Sequence, residues 1–149
     1  MFVINHYLEP ILLSGTDGII TVFNLLVGLS SANFNISNIV RIVIIAIFGD
    51  SLSMAISYYN SKHNEENETD RIKQSIANMI AFIVFGSICL FTYIALTGNR
   101  PNTLVAYVSA IIPLIILASL LDNKKEMKKV VVMGLIGSIL VYAIGQLAK

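Results

Sequence analysis

The sequence predicts an all-α integral membrane protein, a single domain with five transmembrane helices. Apolar residues make up 56% of its 149 residues and charged residues only 13%, about half the charged share of an ordinary soluble domain. A soluble domain of this length would bury only about 70% of its unfolded surface and would expose much of this apolar material. The predicted partner is therefore a lipid bilayer. A net charge of +1 without a basic block argues against nucleic acid as a partner.

Five stretches of the chain are long and apolar enough to span a bilayer, which takes about 20 residues. Pro10 is well suited to the start of the first helix, and Pro113 predicts a kink in the fourth. The residues 60–71 between the second and third helices form a short charged loop. The predicted spans are residues 10–29, 39–59, 76–97, 103–121 and 130–147.

The distribution of basic residues predicts the orientation, because cytoplasmic loops carry an excess of Lys and Arg. A cytoplasmic N-terminus places most of the basic residues in the cytosol and few on the far side. We therefore expect the N-terminus in the cytoplasm and the C-terminus on the opposite side. The cytoplasmic set would be Lys62, Arg71, Lys73, Lys124, Lys125, Lys128 and Lys129, and the opposite set Arg41, Arg100 and Lys149.

Two acidic residues, Asp17 and Asp50, lie within the first two predicted spans. A carboxylate inside a membrane costs roughly 2.5–3.5 kcal/mol on insertion scales and almost always faces a partner or a water-filled cavity. No Lys, Arg or His lies deep in a span, so neither acid can form a simple salt bridge there. They are either protonated, or they share a cation or a proton.

The neighbours of these acids recur at helical spacing and favour a metal pathway. Met54 lies one turn after Asp50 and would offer a thioether sulfur beside the carboxylate oxygens, a combination that favours a transition metal. A single Met in an apolar helix is more often packing material, and small or hydroxylated residues also line ordinary helix contacts in membranes. The predicted metal ligands are Asp17, Asp50 and Met54, and the predicted pathway-lining residues are Ser14, Thr21, Asn24, Gly28, Ser53 and Ser57.

At these residues the sequence resembles the vacuolar iron transporter family, whose members transport Fe²⁺ and Mn²⁺. The first-span segment is DGIITVFNLLVGLSSA (17–32), and the second span ends in SLSMAISYY (51–59). The last span, MGLIGSILVYAIGQL (133–147), is similar to the Gly-rich final helix of the family. This chain looks like a short form, because many members carry a long cytoplasmic metal-binding domain where it has only residues 60–71.

The resemblance implies a homodimer with the metal pathway at its two-fold interface and with Asp17 and Met54 as metal ligands. It also implies export of Fe²⁺ or Mn²⁺ from the cytosol, in exchange for protons. No tightly bound cofactor is expected, and the membrane is either a prokaryotic cell membrane or that of a vacuole or another organelle. An enzyme is not expected, because His6 and His63 lie outside the spans and no nucleophile–base pair is visible.

The chain departs from the family pattern at several positions. Ala46 and Tyr58 replace two Glu residues of the second helix, and Asp50 stands where Gly is usual. Our hypothesis is that Asp50 replaces the missing carboxylate one turn along the same face. The charged loop could form a weak cation-attracting patch, although a solvated acidic loop is the simpler interpretation. Its candidate residues are His63, Glu65, Glu66, Glu68 and Asp70.

Two other functional classes remain open from the sequence. One is a proton-coupled transporter of another cation, for which a first-helix acid would also serve. The other is a non-transporting membrane scaffold in which the two Asp residues form hydrogen bonds between helices. Metal-dependent stabilisation of the purified protein would distinguish the metal transporter from both.

Overall fold

The computed structural model describes residues 2–62, 67–120 and 124–148, and these residues form helices joined by short turns. Asn35, Asn67 and Asn102 cap three of the helices by accepting a hydrogen bond from a backbone N–H of the first turn. Such caps satisfy N–H groups that have no partner inside the helix. The helices are α1 (Phe2–Ser31), α2 (Ile36–Ser61), α3 (Glu68–Thr97), α4 (Thr103–Ser109), α5 (Ile111–Leu120) and α6 (Lys124–Leu147).

The first helix begins earlier than the sequence predicts. It starts at Phe2, so Pro10 lies inside the helix rather than at its start. Proline removes one backbone hydrogen bond of a helix, but membrane helices tolerate it where neighbouring groups satisfy the backbone. The carbonyl that Pro10 leaves without a helical donor is that of residue 6, four positions earlier. The side chain of Asn78 on α3 donates to the carbonyl of Pro10 itself (3.3 Å), which ties α3 to this part of α1.

The chain crosses the bundle in alternating directions. Asn78 contacts Pro10 near the start of α1, and Tyr93 hydrogen-bonds to Ser30 near its end (2.8 Å), so α1 and α3 are parallel. The glycines of α6 pack against α1 in the same order, and α6 is parallel to α1 as well. Helix α2 runs the other way. The cytoplasmic location of the N-terminus stays a prediction from charge.

Four helices of the described chain are long and apolar enough to cross a membrane, and Thr103–Ser119 is a shorter apolar segment. That segment returns the chain from the end of α3 to the start of α6, where the fourth span was predicted. It is interrupted at Ala110, three residues before Pro113. Proline has no N–H to donate to the carbonyl four residues earlier, that of Ser109, and its ring crowds that carbonyl, which accounts for the break.

Helix α1 is the centre of the bundle, and glycines bring its neighbours close to it. A Cβ on Gly18 would lie 2.8 Å from the carbonyl oxygen of Phe82, so the backbones of α1 and α3 nearly touch there. On another side of α1, a Cβ on Gly28 would clash with Val141, and one on Gly145 with Ser31. Small residues of this kind allow close helix approach in membranes.

Large apolar side chains cover the outside of the bundle. Ile45, Phe91 and Leu104 are 72%, 69% and 74% exposed, which water would disfavour and lipid tails would solvate. Together with the long apolar helices, this surface identifies a multi-pass integral membrane protein.

The contact between α1 and α3 leads to a prediction about stability. Gly18→Ala should destabilise the protein by about 1–3 kcal/mol, because the added methyl group meets the backbone of Phe82 and forces the helices apart. Thermal unfolding in detergent would measure the loss. Gly134→Ala is the matched control, because the nearest atom to its Cβ, on Ile20, is 3.7 Å away. Equal melting temperatures for the two variants would contradict the prediction.

Candidate functional site

The two intramembrane acids lie at nearly the same depth on neighbouring helices. Gly86 of α3 contacts both Val22 of α1 and Ile47 of α2, which fixes the relative heights of these two antiparallel helices. Asp17 precedes Val22 and Asp50 follows Ile47, so both acids lie on the same side of that contact, within about one turn of each other. Their carboxylates are close enough for their charges to interact.

The two acids differ in how deeply they are buried within a single copy of the chain. Asp17 is half-buried, whereas Asp50 is exposed on the outer face of α2. Its neighbours on that face, Ser53 and Ser57, are exposed as well. A polar stripe therefore runs along the outside of a helix that is otherwise apolar and long enough to span the bilayer.

A cavity of about 220 Å³ adjoins this stripe, between α1 and α2. It lies on the side of Asp50 toward the start of α1. Met54 lines it and is half-buried. Because Met54 follows Asp50 by four residues, its thioether lies one turn from that carboxylate. The lining residues are Leu13, Met54, Ser57, Tyr58 and Ser61.

The predicted pathway-lining residues of α1 divide between two environments. Thr21 is half-buried, and Ser14 is fully buried with no hydrogen-bond partner for its hydroxyl among the described residues. Asn24 and Gly28 instead lie against α6, where Asn24 packs on Gly137 and Gly28 on Val141. The structure thus does not bring these last two residues to the contact of α1 with α2.

The third helix carries a buried polar face that the sequence analysis missed. Arg71, Gln74, Ser75 and Asn78 are at most 8% exposed. Their spacing of three and four residues is that of one helix face. This polar face could therefore have been predicted from the sequence. They bond to the backbone or side chains of α1 and α2, so this polar face joins the end of α2 to α3.

The contacts of this polar face hold the end of α2 in place. Both Nε and Nη2 of Arg71 donate to the carbonyl oxygen of Tyr59 (3.3 and 3.1 Å), and the guanidinium lies 4.1 Å from the centre of the Tyr59 ring. The hydroxyl of Tyr58 donates to Oε1 of Gln74 (2.9 Å), and Ser75 donates to the carbonyl of Ala55. Because Tyr58 also lines the cavity, these bonds position one of its walls.

The acidic loop has a structural role where it is described. Asn67 caps α3 by accepting from the backbone N–H of Asp70, and its side-chain amide donates to the Asp70 carboxylate (2.6 Å). Glu68 and Asp70 lie in the first turn of α3, where negative charge stabilises a helix. No group of three His, Cys, Asp or Glu side chains suited to a metal occurs among the described residues. The candidates His63, Glu65 and Glu66 lie outside those residues.

Comparison with known families bears on the same two helices. The sequence model of the VIT family matches residues 8–73. The match confirms the predicted resemblance for the segment that contains Asp17, Asp50, Met54 and Arg71. Similarity to the VIT family indicates metal-ion transport across a membrane.

The VIT match ends in the first turns of α3. The likeness of residues 133–147 to the last helix of the family lies outside it and stays a prediction. Among curated proteins and solved structures, none matches the chain.

The Arg71 contacts lead to a second prediction about stability. Arg71→Lys should destabilise the protein by about 1–3 kcal/mol, because a lysine cannot make two hydrogen bonds to Tyr59 and stack on its ring at once. Thermal unfolding in detergent would measure it. Lys73→Arg is the reverse exchange at an exposed position of the same helix and should be neutral. A loss of similar size in both variants would show that the Arg71 contacts are not responsible.

Proposed function

We propose that the protein exports a divalent transition metal, Fe²⁺ or Mn²⁺, from the cytosol through a pathway at a homodimer interface. The observation that carries this proposal is the pair of carboxylates at one depth, with a thioether one turn away beside a cavity. Carboxylate oxygens bind hard divalent ions, and the sulfur shifts the preference toward transition metals. The VIT match over the same residues supports metal ions as the transported substrate.

The exposure of Asp50 supports a second copy of the chain as the missing partner. An acid on the lipid-facing side of a spanning helix is costly, and lipid tails offer no hydrogen bonds to Asp50, Ser53 or Ser57. A two-fold interface on this face would place the same stripe of both chains opposite each other. The pathway would then contain four carboxylates and two thioethers, enough to replace most of the water ligands of a metal ion.

Proton exchange follows from the chemistry of the ligands. A protonated carboxylic acid is a poor metal ligand, so metal binding and protonation of Asp17 and Asp50 oppose each other. A metal ion arriving from the cytosol would displace protons from these acids. Protons arriving from the opposite side would displace the metal there. Transport should therefore slow when the cytosolic side is acidified.

Removal of the first-helix acid tests the transport mechanism. Asp17→Asn should lower Fe²⁺ and Mn²⁺ flux into proteoliposomes by more than about tenfold, because the amide is a weaker ligand and does not titrate. Glu9→Gln is the control, since it removes an exposed carboxylate from the same helix near its start. Undiminished flux through Asp17→Asn would refute the proposed mechanism.

The role of Asp50 has its own test. Asp50→Gly should reduce flux, and adding Ala46→Glu should restore it, because the new carboxylate would lie one turn away on the same face. Ala46 is half-buried, so the glutamate would still border the proposed interface. A matched Ala46→Gln in the Asp50→Gly background should not restore flux. Failure of the Glu variant would mean that Asp50 acts in another way.

The homodimer interface can be tested by cross-linking. With the buried Cys89 replaced by Ala, Ser57→Cys should form a disulfide-linked dimer in membranes on mild oxidation, because the two copies of Ser57 would face each other. Leu104→Cys, an exposed position on α4, is the matched control and should stay monomeric on a denaturing gel. Equal cross-linking at both positions would place the interface elsewhere.

A further inference from the structure

A second concave region of the bundle is lined by neither of the two acids. It is a crevice of about 180 Å³ between α1, the α4–α5 pair and α6. Tyr107 forms part of its wall and packs edge-on against the ring of Phe23 (5.4 Å between centroids). The other lining residues are apolar or Gly, among them Ile19, Ile111, Val131, Gly134 and Leu135.

The crevice opens toward the lipid rather than into the protein. Ile111 and Leu135 on its two rims are 50% and 46% exposed. Water in a crevice of this lining would find too few hydrogen-bond partners, and an empty crevice would lose the dispersion contacts of its walls. A lipid acyl chain is the apolar material that a membrane supplies to such an opening.

A basic residue, Lys128, stands at the end of this crevice that lies near the start of α6. Lys128 is exposed and comes three residues before Val131, the spacing of one helix face. The first six residues of α6, KKEMKK, hold four lysines and one glutamate. Clusters of basic residues at the end of a membrane helix attract anionic headgroups, whereas a zwitterionic headgroup would gain little.

We propose that this crevice binds one anionic phospholipid, with an acyl chain between α1, α4–α5 and α6 and the headgroup at Lys128 in the first turns of α6. The bound lipid would join α6 to the α4–α5 pair, whose common neighbour is α1. The site is independent of the acids and of the proposed transport activity. The positive charge would select the lipid headgroup, and the shape of the crevice would fix the position of the acyl chain.

Native mass spectrometry of the full chain, released from nanodiscs of equal phosphatidylglycerol and phosphatidylcholine, tests the proposal. Wild-type protein should retain phosphatidylglycerol over phosphatidylcholine by about tenfold. Gly134→Leu should abolish the retention, because space is available beside Gly134 and the new side chain would occupy the crevice. Ala143→Leu places the same side chain at an exposed position of α6 outside the crevice and should bind as wild type does.

The headgroup site is tested separately by charge. Lys128→Gln should bring the preference for phosphatidylglycerol close to one, whereas Lys73→Gln, an exposed lysine of α3, should leave it unchanged. The proposal is overturned if the wild type shows no preference, if Gly134→Leu retains lipid as the wild type does, or if Lys128→Gln has no effect.

A fluorescence experiment tests the same proposal without requiring the Gly134→Leu variant to fold. The chain contains no Trp, so Ile111→Trp would place a single reporter on the rim of the crevice. Brominated phosphatidylglycerol should quench it more strongly than brominated phosphatidylcholine at the same mole fraction. Phe91→Trp, on an exposed part of α3, should be quenched equally by both lipids. Equal quenching of Ile111→Trp by the two lipids would also overturn the proposal.

Discussion

The arrangement of the bundle depends on one constraint, that a carboxylate within the bilayer needs a polar or ionic partner. Helix α1 meets this constraint by making its close backbone contacts away from Asp17. Gly18 admits the backbone of α3 on an adjacent side, and Gly28 admits Val141 of α6 about three turns further along the helix, so Asp17 remains available to α2. Asp50 reaches the same depth because α2 runs antiparallel to α1. The acids are thus brought together by contacts in which neither takes part.

Much of this fold could be predicted from composition and spacing, because lipid imposes strong rules on apolar length and on buried charge. The long helices and the two acids follow from those rules. The start of α1 at Phe2 could not be predicted from Pro10, because proline suits the first turn of a helix but is also tolerated inside membrane helices, where it removes a single backbone hydrogen bond. Pro113 predicted the interruption at Ala110, because a proline disrupts the helical hydrogen bonds of the turn before it.

The candidate site shows a sharper limit of sequence reasoning. Periodicity gives the angle of a residue around its own helix but does not name the neighbour on that side. Asn24 and Gly28 share a broad face with Thr21, yet they pack against α6. Arg71 begins a polar face with regular spacing, but only the structure shows that its partner is a backbone carbonyl of α2. A predicted face is therefore a set of candidates that different helices divide among themselves.

The last part and the middle of α2 are held to α3 by different forces, and this bears on how the site is supported. Near the end of α2, Ser75 and Arg71 bond to the carbonyls of Ala55 and Tyr59. In the middle of α2, the contact through Ile47 is apolar packing against Gly86. Hydrogen bonds fix direction and register, whereas apolar packing tolerates small shifts. The thioether of Met54 lies on the hydrogen-bonded half, and the wall of its cavity is fixed with it. Asp50 lies between these two contacts, so the polar face of α3 supports the proposed sulfur ligand more directly than the proposed carboxylate ligands.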